Sequence, residues 1–511
     1  MERFIEKHKD KIVGVLECFD RILLKGHLPF PTGRAMEAFL DRHDILYKHF
    51  KRFVLKQSQR VKEHAHLLAE KRNRPFERIH PRERKEDRAH QIAERDGITH
   101  GLVCIFTAIE ACSSFVLRPG KGKPRLHRVP RKCLHLYFYF MDRHFGLIHV
   151  RLQTWFPFMV QVCLNGHEWL ARKLDRHGVA YERIDNAFAS VANLPRAQRF
   201  ADAMLKKNWL PVLETIARRV NPLLKDLLAG TKHYWVIEQA EYATDILFKN
   251  RAALKELYPA LARHASLCFS AEDLMGFLGR KLHPAFQGEV QSDLRKRHLG
   301  LRIRHQIAGN ILKMYDKHGL ALRVETVINR PREFKAFREG TRRGECVLGW
   351  FPMAKRISNM RRYAEVSRSA NHRYLQALSV VDDPSAAYGA LRRLCRPATY
   401  KTRRRRGLNP LRPDDAQLFA AVLRGEHAIK GFSNRSLRRH LYRSKARRRF
   451  EDRRRAQHVT RRIQLLRAHR LVAKIPHSQR YRVTQRGAEL MSAALYLGRH
   501  DWPEWIHRHA A

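Results

Sequence analysis

The chain has 511 residues and carries 102 Lys and Arg against 49 Asp and Glu, a formal charge of +53. With 44% hydrophobic residues and 26 Phe it is globular material rather than a solvated tail. An excess of this size opposes compaction unless a polyanion offsets it, which points to nucleic acid as the partner. No membrane role is expected. The longest uncharged run, Leu152 to Gly166, is shorter than the ~20 apolar residues of a span, and Met1 to Lys7 lacks the apolar core of a signal peptide. The expected setting is the bacterial cytoplasm, in association with the nucleoid. The eight Cys form no C-x-x-C pair, which argues against a zinc ribbon and a disulfide framework.

The expected fold class is α+β, an antiparallel-sheet central domain with helical insertions plus a C-terminal winged helix-turn-helix. Four regions are expected: 1–97, strand and basic helix; 98–340, central domain with a nuclease-like core; 341–407, basic connector; 408–511, nucleic-acid-binding domain. Residues 11–25 read as a strand or hairpin, and Arg34 to Lys71 as a helix with Val54, Val61, Ala65 and Leu68 on one face. The alternating charges of 72–96 predict an exposed helix. From Gly101 the pattern becomes β: Leu102–Leu117, Cys133–Asp142 and Phe145–Leu164, then a helix from Glu168 to His177 and a strand from Val179 to Asp185. Residues 196–283 are expected to be mainly helical, and 300–327 to return to strands around a Lys317-His318-Gly319 turn.

After Arg403 to Gly407, Asp414-Asp415 opens a helix with Leu418, Phe419, Val422 and Leu423 on one face. Ser433 is placed to cap a second helix, and a third carries Val459, Ile463 and Leu466. A hairpin of 471–474 and 480–483 follows, and Thr484 caps a last helix. This order, with Leu465 to Val472 and Arg480 to Gly487 as its best motif, resembles a bacterial winged helix over about the last hundred residues. It departs at Arg470, where such domains usually carry Gly. The resemblance implies a third helix in the major groove and a hairpin on backbone or minor groove. The expected nucleic-acid contacts are Arg435, Arg438, Arg439, Lys445, Arg447, Arg448, Arg449, Arg461, Arg462, Arg467, Arg480 and Arg482.

In the central region, Arg183-Ile184-Asp185 and Arg323-Val324-Glu325 each place an Arg and a carboxylate two apart on a strand, hence on one face. Together with Val160 to Gly166 and Lys313 to Gly319, these patches (157–188 and 303–334) resemble plasmid and phage rolling-circle replication initiators. That resemblance implies acidic residues holding Mg²⁺ or Mn²⁺, here Asp185 and Glu325, and a tyrosine that attacks a DNA phosphodiester. Tyr315 is the nearest tyrosine; where the family tends to place it, this chain reads Arg304-His305-Gln306. A competing nuclease set is Glu17 and Asp20 on the first strand with Glu238, Glu241 and Asp245, which fit one helical face, although Glu17 and Asp20 fall on opposite faces of a regular strand. His64 and His66 fall on different sides of a helix and make no pair. His135, Tyr137 and Tyr139 alternate with apolar residues and could present a stacking face to single strands.

The expected function is therefore binding of duplex DNA by a mobile-element-type protein, with metal-dependent nicking, strand transfer or replication initiation if the acids converge. The alternatives are a ribonucleoprotein subunit, since +53 neutralises structured RNA equally well, and a non-catalytic transcription regulator.

Overall fold

The computed structural model describes residues 1–496 except 81–82, 120–123, 282–288, 298–299, 343, 382–391, 401, 410–411, 428–430, 443, 445 and 447. The chain is α+β, with a large, mostly antiparallel sheet, as the alternation of β-branched and aromatic runs predicts. Its compact units are not consecutive stretches. One comprises 13–248 and 320–368, the other 1–12, 249–319 and 369–511.

The strands in chain order are β1 (Ile12–His27), β2 (Phe76–Arg78), β3 (Gly101–Arg118), β4 (Arg125–Asp142), β5 (Gly146–Gln153), β6 (Val160–Asn165), β7 (Tyr181–Ile184), β8 (Ala187–Val191), β9 (Tyr234–Phe248), β10 (Val290–Arg297), β11 (Gly300–Ile307), β12 (Asn310–Lys317) and β13 (Ala321–Ile328). The first unit lines up β13-β9-β1-β6-β5-β4-β3-β2, and β7 and β8 form a separate hairpin. In the other unit β10, β11 and β12 form an antiparallel meander.

Several sequence expectations require correction. Arg34 to Lys71 is two helices, Gly33–Arg42 and Phe50–Lys71, separated where Asp44 takes a left-handed φ of 54°. The helix within 72–96 spans only Lys85–Arg95, and it packs Ala89, Ile92 and Ala93 into a core instead of lying free. Tyr137 and Tyr139 belong to that core, at 8% and 2% exposure, and His135 is buried as well. These rings are covered, so the proposed stacking face is closed. Residues 196–283 contain the fifteen-residue strand β9, where a helix was expected. The connector 341–407 holds β15 (Glu345–Pro352), which pairs with β14 (Lys335–Arg342) across its start, and a helix, Met360–Leu378.

The C-terminal segment follows its local signals closely. Helices span Pro413–Val422, Asn434–Leu441, Arg449–Ala468 and Gln485–Tyr496, and β18 (Val472–Lys474) pairs with β19 (Tyr481–Val483) after the short β16 (Ala398–Tyr400) and β17 (Arg403–Arg405). Ser433 accepts from the Ser436 amide in a capping box, and Thr484 Oγ1 accepts from the Gly487 amide at 3.0 Å. Leu418, Phe419, Val459, Ile463, Leu466 and Met491 share one core with Leu394 and Leu408. Arg406, expected in a linker, is tied in by a bidentate pair to the buried Asp415, 2.7 and 2.5 Å.

The third of these helices ends at Arg470 with φ 58°, and the Leu471 amide reaches back to the Leu466 carbonyl at 2.9 Å. This is the helix terminus at which Gly is favoured. A side chain in the left-handed region costs roughly 1–2 kcal/mol. Arg470→Gly should therefore stabilise this segment by about 1 kcal/mol. Hydrogen exchange at the Leu466 and Leu471 amides measures it, and faster exchange in the variant would contradict the assignment.

Candidate metal centre

The site is built on three strands of one unit. Asp20 lies on β1, Glu241 on β9 and Glu325 on β13, and one carboxylate oxygen from each lies within 4.8 Å of the others. Register explains part of this. Glu325 stands opposite Ala243, and Val327 opposite Glu241, so the two glutamates are diagonal neighbours on one face of an antiparallel pair. Arg323 and Asp245 are directly opposed on that same face. Asp20 is 8% exposed and Glu325 1%, and Glu241 is the least covered of the three.

A buried cationic network backs the carboxylates. Arg323, fully buried, donates Nε to Asp245 Oδ1 and Nη2 to Asp245 Oδ2, both at 2.6 Å, and Nη2 also reaches the Asn186 carbonyl at 2.9 Å. Its Nη1 stands 3.6 Å from Asp20 Oδ1. The His167 ring lies between the acids, Nδ1 3.1 Å from Asp20 and Nε2 3.5 Å from Asp245. Asn186 donates Nδ2 to Asp20 Oδ1 at 3.0 Å. Burial alone would push the Asp245 carboxyl up, but Arg323 and His167 bring it down to about 2. Burial disfavours a charged His167, yet Cys18, Asp20 and Asp245 outweigh it and Arg323, so its pKa rises well above the usual value.

Local sequence sets this up. Gly166 begins the helix Gly166–Arg176 against β1; a Cβ there would meet the Phe19 carbonyl oxygen at 2.0 Å. Asn165 caps the helix by accepting from the His167 and Glu168 amides. The imidazole is thereby delivered beside Asp20.

The candidates named from sequence divide. Glu325 is in the cluster, and so are Asp20 and Glu241 from the competing set. Asp185 is not. β7 ends at Ile184, and Asp185 sits exposed in the turn with φ 56°, its carbonyl accepting from Arg183 Nε at 2.6 Å, so the Arg-x-acid alternation fails there. Arg183 pairs with Glu168 instead. Tyr315 lies on β12, half-buried opposite Arg302, with Lys317 Nζ 5.8 Å from its ring, and belongs to the other compact unit. Glu17 has a different role: Thr244 Oγ1 donates to it at 2.7 Å and Arg368 Nε is 3.0 Å away. Thr244 and Asp245 are successive strand residues, so Glu17 and Asp20 serve opposite sides of the sheet, as their spacing predicts. Glu238 pairs with Lys355 at 3.1 Å. Glu238, Glu241 and Asp245, which the sequence spacing placed on one helical face, lie on the strand β9 instead, with Glu241 and Asp245 four residues apart on one face of the sheet.

The arginines of the C-terminal segment also divide. Arg438 pairs with Asp452, Arg482 with Glu272 at 2.7 Å, and Arg462 stands 3.8 Å from Asp414. Arg467 lies over the Tyr400 ring at 4.8 Å, and Arg480 Nη2 donates to the Gly431 carbonyl. Arg435, Arg439, Arg448, Arg449 and Arg461 are exposed with no ion pair among the described residues. Lys445 and Arg447 lie outside the described residues.

Comparison with family models, with curated proteins and with solved structures gives no match for this chain.

Removing one partner of the Arg323–Asp245 pair leaves a buried charge uncompensated. Arg323→Met and Asp245→Leu should each destabilise by about 3–5 kcal/mol. The double variant should cost less than the sum, and a denaturant double-mutant cycle measures the coupling. Additive losses would show that the pair does not act as a unit.

Proposed function

We propose that this chain is a metal-dependent enzyme that cuts DNA, with Asp20, Glu241 and Glu325 holding Mg²⁺ or Mn²⁺ and the C-terminal segment gripping the duplex as a winged helix. The observation that carries this reading is the convergence of three carboxylates at one partly open point of a chain whose charge is +53. At an effective dielectric of ~20, two carboxylates 4.8 Å apart repel by roughly 3–4 kcal/mol. An all-oxygen set of this kind matches the ligand preference of hard divalent cations. A bound cation would supply Lewis acidity toward a phosphoryl oxygen and a lowered pKa for an attacking water.

The chain's own residues do the remainder. Arg323 and His167 hold Asp20 from behind, so that its oxygens are oriented before any ligand arrives. Glu241, the least covered of the three, is the side from which a phosphodiester would approach. The exposed Arg435, Arg439, Arg448, Arg449 and Arg461 supply phosphate contacts that fix the duplex without reading its sequence. A third helix bearing Arg449 and Arg461 before a β-hairpin supports the winged-helix reading of the segment.

The test combines cleavage with binding. Asp20→Asn, Glu241→Gln and Glu325→Gln should abolish Mg²⁺- or Mn²⁺-dependent nicking while leaving duplex affinity within a few-fold of the parent. Binding should weaken with salt by a log–log slope of about −0.9 per phosphate contacted. Tyr315→Phe should leave cleavage intact if water attacks, and remove a covalent protein–DNA adduct if tyrosine does. Retention of cleavage by all three acid variants would sink the proposed centre, and co-purification of one defined RNA would redirect the partner to RNA.

A further inference from the structure

A second convergence of ligand atoms lies in the C-terminal segment. Glu426 and His427 sit in the short turn Gly425–His427 that follows the helix Pro413–Val422, and His440 lies in the last turn of the helix Asn434–Leu441. One carboxylate oxygen and one nitrogen from each imidazole lie within 4.8 Å of one another. His427 is only 6% exposed, and its Nε2 is buried with no hydrogen-bond partner, 3.8 Å from Glu426 Oε1. The His440 Nε2 faces the same oxygen.

An unsatisfied buried nitrogen is destabilising unless something completes it. Packing leaves His427 little room to turn away, since its ring lies against Phe432 at 5.7 Å and His440 at 5.6 Å between centroids.

We propose that Glu426, His427 and His440 form a binding site for a borderline transition-metal cation of the zinc type. Two imidazoles and one carboxylate are a ligand set for tetrahedral Zn²⁺, with water in the fourth position. Hard cations are disfavoured. Mg²⁺ seeks oxygen ligands, and here a single carboxylate is already shared with Arg424 at 3.8 Å. Glu426, about half exposed, gives the metal a path from solvent. The ion would tie the turn after the first helix to the end of the second, immediately ahead of the basic stretch that opens the third. It would thus be a structural clamp within the segment, chemically distinct from the all-carboxylate cluster.

Co²⁺ is the probe, titrated into the full-length, metal-stripped chain. The expected result is one equivalent giving tetrahedral d–d bands without a thiolate charge-transfer band, displaced by Zn²⁺. Glu426→Gln and His440→Gln should each weaken Co²⁺ binding roughly tenfold or more, in line with the cost of disturbing metal ligation. Asp20→Asn should leave the spectrum unchanged. Glu426→Gln changes an exposed side chain and keeps a hydrogen-bond acceptor, so loss of binding in this variant is not a folding failure; circular dichroism checks that. Octahedral Co²⁺ only, a thiolate band, or affinity unchanged by both substitutions would overturn the site.

Discussion

A guanidinium with no exposed surface is the constraint around which the carboxylate-cluster region is organised. Taking Arg323 out of water costs several kcal/mol after relaxation, and the cost is offset only if its donors are met with good geometry. Asp245 meets two of them from the opposing strand and the Asn186 carbonyl meets one from the β7–β8 turn, while His167, on its own helix, reaches Asp20 at 3.1 Å and Asp245 at 3.5 Å. Each of these groups comes from a different element. Register of β13 on β9, the close approach of the helix at Gly166 and the path of the hairpin turn are therefore mutually dependent. A one-residue slip of β13 would send Arg323 to the other face and leave Asp245 buried alone.

The carboxylate cluster follows from that arrangement. Once Arg323 faces Asp245, alternation along both strands puts Glu325, two residues on, and Glu241, four residues back along β9, on the same face. Asp20 is then drawn in by His167, Arg323 and Asn186. Oriented acids next to a buried cation are in place before any ligand binds, which is the condition for a site that loses little free energy to reorganisation.

Legibility in the sequence tracked the range of the interactions. The C-terminal segment was readable because its determinants are local: Ser433 and Thr484 at caps, and an apolar spacing of three and four. Even its irregularity, a cationic side chain where a terminating helix favours Gly, was visible at Arg470. Glu325 was readable as the acid of an Arg-x-Glu strand, and Asp20 as an acid on the first strand. Glu241 and Asp245 were attached to the wrong element. Their spacing of four, with Ala240 and Ala243 between helix-tolerant neighbours, mimics a helical face, and outweighed the β-favouring Tyr234, Trp235, Val236, Ile237, Tyr242, Thr244 and Ile246. Asp185 misled for the opposite reason. Its pattern was strand-like, but one left-handed residue ended the alternation. What could not be read at all was convergence: nothing within 20, 241 or 325 alone records that sheet order places β9 between β1 and β13.

Charge has the same two-level organisation. With 49 acids for 102 cations, one-to-one pairing leaves 102 − 49 = 53 cations without an acid anywhere in the chain. The acids are not spread evenly over them. Asp245, Glu17 and Asp415 are buried and committed to Arg323, Arg368 and Arg406, where an unpaired carboxylate would be costly. Exposed arginines such as Arg448, Arg449 and Arg461 are left to solvent, where the Debye length of ~8 Å at physiological ionic strength limits their mutual repulsion. The few acids available thus compensate charge in the interior, while the surface is left cationic. The same allocation makes a polyanion the one class of ligand that relieves the remaining repulsion at every contact it makes.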